Sequence, residues 1–234
     1  MDNSENTKIK RVKCKKLNKS EKEIDHKILK GTLKETDFVD ISDIDPSIKQ
    51  VKYFKSNKIF SDIGEEIIAQ KYDVMALRLG TALKLRKANK KLNEKGYGIL
   101  LYDAYRSYDV QIFLQNHYKY LYNKFDSKYI SAPGYSNHQK GGSVDIGLYN
   151  IETNDIVPMP TEYFVLNSDA VAINNLVATI EELKNLKILQ DAMESVGFTI
   201  FEGEWWHFDD WDIINKVTPL KRGIENIIVR EDSL

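Results

Sequence analysis

One cysteine, Cys14, stands in 234 residues, so no intramolecular disulfide and no cysteine-built zinc knuckle is available. It sits among Lys10, Arg11, Lys13, Lys15 and Lys16 with little apolar material nearby, the setting of an exposed thiol on a solvated segment. Glycine and proline are scarce, at 12 and 5, which removes collagen-like and low-complexity architectures. A surplus of either charge is missing too: 34 Lys and Arg face 35 Asp and Glu, a net of −1. A chain that coats nucleic acid carries a basic excess, so a nucleic-acid partner is not expected. Long apolar runs are absent as well. Stretches such as Gly98-Ile99-Leu100-Leu101 are far short of the roughly 20 residues of a membrane span. Residues Met1 to Asn6 hold no apolar stretch of the signal-peptide kind. A cytoplasmic chain is the expectation, or a periplasmic or secreted one if a signal was removed.

What is present is a hydrophobic fraction of 42%, with aromatic residues at 11% of the chain, enough for a sizeable core. It is unevenly spread. Residues 1–37 are rich in Lys, Asp, Glu and Asn and read as a charged, loosely ordered N-terminal arm. Residues 38–234 read as one α+β domain, a small antiparallel sheet flanked by helices. Phe38, Val39 and Ile41 form a strand-like stub. Asp73 to Lys95 has the clearest helical period, through Met75, Leu79, Ala82, Leu83 and Leu92, with Asp73 as N-cap and Gly96 as the stop. Ile99 to Tyr102 is a short buried strand, Asp109 to Tyr122 a helix, and Asp126 to Gly142 a turn-rich stretch. Leu186, Leu189, Met193 and Val196 recur at helical spacing before Gly197, and Phe198 to Trp211 is aromatic and strand-like.

Ser143 to Leu148 alternates. Val144, Ile146 and Leu148 share one side, while Ser143, Asp145 and Gly147 share the other, the pattern of a half-buried strand whose second face carries a carboxylate. His138 precedes it in a loop that Gly141 and Gly142 allow to bend tightly, so the imidazole can fold back toward Asp145. His207 lies in a second segment, Glu202-Gly203-Glu204-Trp205-Trp206-His207. Two imidazoles and one carboxylate leave a fourth position open, a catalytic rather than structural type of zinc site. A lone His and Asp in a strand and loop are ordinarily plain polar groups. The weight comes from Glu204 three residues before His207. In a straight strand the two would face opposite ways, so a bend near Gly203 has to bring Glu204 round to act as general base and acid. The Trp205-Trp206 pair would wall the site from water. Arg106, at the end of a buried strand, is a fork for an oxyanion or a carboxylate, or the partner of Asp103 or Asp109 in an ordinary salt bridge. His26 and His117 have no such neighbours and read as surface residues.

Taken together, Ser136-x-His138-x6-Asp145, then Glu204-x-x-His207, after a Tyr105-Arg106 strand end, resembles the zinc D,D-peptidases of the VanX and VanY group, most of all the VanX-type D-alanyl-D-alanine dipeptidases. The likeness runs from about Phe38 to Trp211. It implies that His138, Asp145 and His207 hold one Zn²⁺ per chain, that Glu204 is the base and acid, and that Arg106 steadies the tetrahedral intermediate. Ser136, and with less support Tyr105 and Trp206, would lie against the substrate. The implied reaction is hydrolysis of D-alanyl-D-alanine, which alters peptidoglycan precursor supply and links the group to antibiotic resistance.

Two departures stand out. Ser107 replaces the proline that follows the family's Tyr-Arg pair. Phe164 falls near the place of the acidic residue that holds a dipeptide's ammonium, with Glu162 or Asp169 as possible substitutes. Without such an acid, a D,D-carboxypeptidase or endopeptidase on longer cell-wall peptides becomes the competing expectation. A metal-binding module without turnover is the third, though a positioned Glu204 and Arg106 speak against it. Oligomeric state is not legible in the sequence.

Overall fold

The computed structural model describes residues 11–14, 30–51, 75–122, 130–173, 175–220 and 227–230, together with positions 23, 24 and 27. Asp73, His26 and most of the basic run Lys8 to Lys16 lie outside the described residues, as do the side chains of Cys14 and His117.

Strands β1 (Arg11–Cys14), β2 (Phe38–Asp40) and β3 (Lys49–Gln50) come first, with a short helix α1 (Ile41–Ile44) between the last two. Asp40 ends β2 and starts α1, because its carboxylate accepts the Ser42 N–H at 2.9 Å. Strand β4 (Ala76–Arg78), helix α2 (Leu79–Asn93), strand β5 (Tyr97–Asp103) and helix α3 (Tyr108–Tyr122) follow. A 3₁₀ turn (Asn137–Lys140) leads into β6 (Ser143–Asn150). Helix α4 (Ile180–Glu194), strands β7 (Thr199–Ile200) and β8 (His207–Asp209), helix α5 (Trp211–Ile214) and β9 (Ile227–Arg230) complete the described elements.

Five strands form the main sheet in the order β3-β5-β6-β8-β7. Its pairs are antiparallel except β3 with β5, so the sheet is mixed at one edge. β2 pairs antiparallel with β4, and β1 pairs parallel with β9. The α+β reading holds. The helix expected from Asp73 starts later: Ala76–Arg78 is strand, and the helix begins at Leu79. β4 is captured by β2, whose backbone pairs with it, and pairing overrides local helical preference. Phe198 to Trp211 is likewise two short strands separated by turns, with Trp211 already in a helix.

The core covers both faces of the sheet. Val144, Ile146 and Leu148 are fully buried in one cluster with Leu85 and Leu92 of α2 and Leu189 and Met193 of α4. Helix α4 starts with a reciprocal cap: Thr179 Oγ1 accepts the Glu182 N–H at 3.2 Å, and the Glu182 carboxylate accepts the Thr179 N–H at 2.7 Å. Ile24 and Leu33, which fall within the segment read as an arm, are buried in the same cluster.

The other face of β6 is not solvated, contrary to the half-buried reading. Ser143 is 0% and Asp145 2% exposed. The loop after β6 folds back over it, and Tyr102 and Tyr163 stack there with ring centroids 4.3 Å apart. Gly147 makes this possible: a Cβ there would lie 2.7 Å from the Tyr102 hydroxyl oxygen.

Candidate metal centre and its cleft

Sheet register assembles the site. Asp103 on β5 is paired with Asp145 on β6, and Asp145 with His207 on β8, so three polar side chains stand abreast on one sheet level. Directly opposed residues sit about 4.5–5.5 Å apart at Cβ, within reach of a shared ligand. His138 arrives from the 3₁₀ turn. Gly141 closes that turn at φ +72°, and its N–H donates to the His138 carbonyl at 3.0 Å. The His138 carbonyl also accepts the Arg106 N–H at 3.2 Å, tying the turn to the end of β5.

Three donor atoms converge. His138 Nε2 and His207 Nδ1 are 3.1 Å apart, and Asp145 Oδ1 lies 3.2 and 3.0 Å from them. Their outward atoms are all engaged. His138 Nδ1–H donates to the Ala104 carbonyl at 2.7 Å, the Tyr163 hydroxyl donates to Asp145 Oδ2 at 3.0 Å, and His207 Nε2–H donates to Asp209 Oδ1 at 3.0 Å. With protons on the outer nitrogens, two imidazole lone pairs and a carboxylate oxygen face one point. That N₂O set suits a divalent ion and leaves a position free. Among the described residues this is the cluster able to hold a metal.

Burial opposes charge on His207, but hydrogen bonds to Asp145 and Asp209 win and hold its pKa well above the ordinary imidazole value. Burial likewise disfavours the Asp145 carboxylate, yet His138 and His207 hold it well below the usual range.

The cluster opens into a cleft of about 240 Å³ lined by Arg106, Ser136, Glu204 and aromatic rims at Phe164, Phe201, Tyr135 and Trp211. Glu204 reaches it because the chain turns twice between β7 and β8. The Glu204 N–H donates to the Phe201 carbonyl, and the His207 N–H to the Glu204 carbonyl, both at 3.3 Å. Burial raises the Glu204 carboxyl from 4.5 to about 7, Asp145 adding to the rise and His207 and Arg106 opposing it. Arg106 is 6% exposed. Its Nε donates to Asp103 Oδ2 at 2.9 Å and its Nη1 to Gln111 Oε1 at 3.0 Å, with Nη2 3.8 Å from Asp145 Oδ2. Burial disfavours this cation, but Asp103 and Asp145 more than offset it and push its pKa further up. The salt bridge with Asp103 and the place in the cleft therefore coexist.

Some residues from the sequence reading fall elsewhere. Tyr105 turns to pack edge-on against Phe38, at 4.8 Å between centroids, and does not line the cleft. Trp205 and Trp206 are each 1% exposed and are not among the cleft's lining residues. Trp206 meets Tyr163 edge-on at 5.5 Å, and its hydrogen bond to Glu204 works against the rise of that carboxyl's pKa. Glu162 and Asp169 are not among the lining residues; Glu162 borders a separate hollow with Tyr102 and Trp205. Three contributors were not anticipated: Gln111, Tyr163 and Asp209; Asp103 is the salt-bridge partner that the sequence offered for Arg106. Asp209 had a signal, since His207-x-Asp209 at strand spacing puts both side chains on one face. Tyr163 had none.

Residues 34–227 match the peptidase M15 family model described as D-ala-D-ala dipeptidase. The chain belongs to the peptidase M15 family. This M15 peptidase is a metallopeptidase by that membership. It is 30% identical over 140 residues to a D-alanyl-D-alanine dipeptidase of Enterococcus faecium, a match spanning 54% of this chain and 69% of that protein. It is 31% identical over 145 residues to a D-alanyl-D-alanine dipeptidase of Enterococcus faecalis (strain ATCC 700802 / V583), again 54% and 69%. Among solved structures, the LdcB LD-carboxypeptidase is similar at TM-score 0.40 and 19% identity, over 68% of this chain and 74% of that one. A point mutant of the vancomycin resistance D,D-pentapeptidase VanY, in complex with Zn(II), is similar at TM-score 0.39 and 14% identity, over 62% and 79%.

Proposed function

We propose that this M15 peptidase hydrolyses the peptide bond of D-alanyl-D-alanine, with one zinc ion held by His138, Asp145 and His207. The observation that carries the reading is the convergence of three ligand atoms within 3.2 Å of one another at the floor of a cleft that also holds a buried carboxyl and a buried guanidinium. When bound, a zinc ion supplies Lewis-acid polarisation and an acidified water at neutral pH.

The side chains account for the rest. Glu204 takes the proton of the attacking water and returns it to the departing amine. Its raised pKa, near 7, suits both directions of transfer close to neutrality. Arg106 cannot lose its charge, and Asp103 and Gln111 fix its orientation, so its free N–H groups meet a developing oxyanion without reorganising. Ser136, 4% exposed and lining the cleft, sits where it can hydrogen-bond the peptide.

A second reading has its own observation. The cleft-lining carboxylates are Asp145, Glu204 and Asp209, and Phe164 stands at the rim near the expected ammonium-holding acid. Asp145 is assigned to the metal, Glu204 to proton transfer, and Asp209 already accepts three donors. An N-acylated D-alanyl-D-alanine, with no ammonium to satisfy, fits that lining and would make the enzyme a D,D-carboxypeptidase. The experiment is a panel of D-Ala-D-Ala, N-acetyl-D-Ala-D-Ala, D-Ala-D-lactate and L-Ala-D-Glu, each with chelator and with zinc restored. Zinc-dependent alanine release from the free dipeptide supports the first reading, and release from the acylated form alone supports the second. No zinc-dependent release from any D,D substrate refutes both.

A further inference from the structure

Asp209 lies two residues beyond His207 on the same face of β8 and is 7% exposed. Its Oδ1 accepts His207 Nε2–H at 3.0 Å and the Ser143 hydroxyl at 2.5 Å, and its Oδ2 accepts Asn137 Nδ2–H at 3.1 Å. The β6–β8 register pairs Asp145 with His207 and, at the outer end, Ser143 with Asp209. One strand pair thus carries two of the proposed metal ligands at one level and a buttressed carboxylate at the next. Asn137 belongs to the turn that presents His138, so Asp209 also ties the two histidine segments together.

A neutral imidazole has two tautomers, and its neighbour selects one. A carboxylate only accepts, so it can be served only by an Nε2–H. We infer that Asp209 is a positioning residue that locks His207 in the Nε2–H tautomer, leaving Nδ1 as the metal-facing atom, with Ser143 and Asn137 holding Asp209 in place. This rests on the reading that His138, Asp145 and His207 bind a metal ion. Losing such an outer partner typically weakens metal binding tenfold to a hundredfold.

The test uses the full chain stripped with chelator and titrated with zinc ion alone against a competing chromophoric chelator. Asp209→Ala is expected to bind zinc about tenfold to a hundredfold more weakly than wild type, with Ser143→Ala showing a smaller loss in the same direction. Nitrogen-15 spectra of the zinc-loaded, histidine-labelled proteins should show His207 protonated at Nε2 in wild type and that slowly exchanging proton lost in Asp209→Ala. Zinc affinity within about threefold of wild type, with the tautomer unchanged, overturns the inference. If Asp209→Ala does not fold, Ser143→Ala and Asn137→Ala carry the test, and unaltered affinity in both overturns it. A wild-type chain that binds no zinc removes the metal reading and this inference together. Tight wild-type binding that survives Asp209→Ala removes this inference alone.

Discussion

Glu204 carries two demands that pull against each other: it must be buried to have a pKa near neutrality, and burial of a carboxylate costs stability. Its pKa is raised, so the proton-bound form favours the folded state fully below the ordinary value of 4.5, and that contribution is lost as pH rises through about 7. Glu204→Gln should therefore stabilise the metal-free protein at about pH 8, by up to roughly 3 kcal/mol at 1.36 kcal/mol per pKa unit, and have little effect near pH 4. Thermal melts of both proteins at the two pH values check this. The same variant should keep its zinc yet lose turnover by about 10²–10⁴-fold, read by metal analysis alongside alanine release. Full activity would remove Glu204 from the mechanism. His207 adds a second dependence. Its raised pKa means that a proton competes with the metal for Nδ1, so zinc affinity should climb with pH, as proton-coupled chelator titrations would show.

The proposed ligands owe their positions to short, crowded elements rather than to the long helices. Gly147 is the clearest example. It sits beside Asp145 on β6 and has no side chain because the Tyr102 ring lies over it. Tyr102 stacks on Tyr163, whose hydroxyl holds Asp145 Oδ2 at 3.0 Å. Gly147→Ala should push this stack outward, cost about 1–3 kcal/mol of stability and weaken zinc binding, measurable by denaturant unfolding and by metal competition. The cap of α4 is a contrasting case. Thr179→Ala should cost about 1 kcal/mol by the same unfolding measurement yet leave zinc affinity unchanged, since α4 lends the site no side chain.

For the molecule as a whole, the metal is proposed to tie β6, β8 and the turn before β6 into one unit. An ion that binds only the folded chain stabilises it by about 2.7 kcal/mol at a hundredfold excess over Kd. Zinc should thus raise the melting temperature of the stripped protein by several degrees, and a chelator should reverse the shift. No helix among the described residues is long and apolar enough to cross a membrane.

Much of this was visible in the linear chain. His138, Asp145, Glu204 and His207 were legible because metal chemistry restricts residue types and because strand alternation and fixed offsets are local rules. The main helices were legible too, apart from the start of α2, where pairing of β4 with β2 outweighed the period. Contacts between segments far apart in sequence were not. That Tyr163 backs Asp145, and that Asn137 and Ser143 hold Asp209, follow from how the loop after β6 folds over the sheet and how β6 and β8 come into register. Those arrangements are settled by packing and backbone pairing across the fold, which no local spacing encodes.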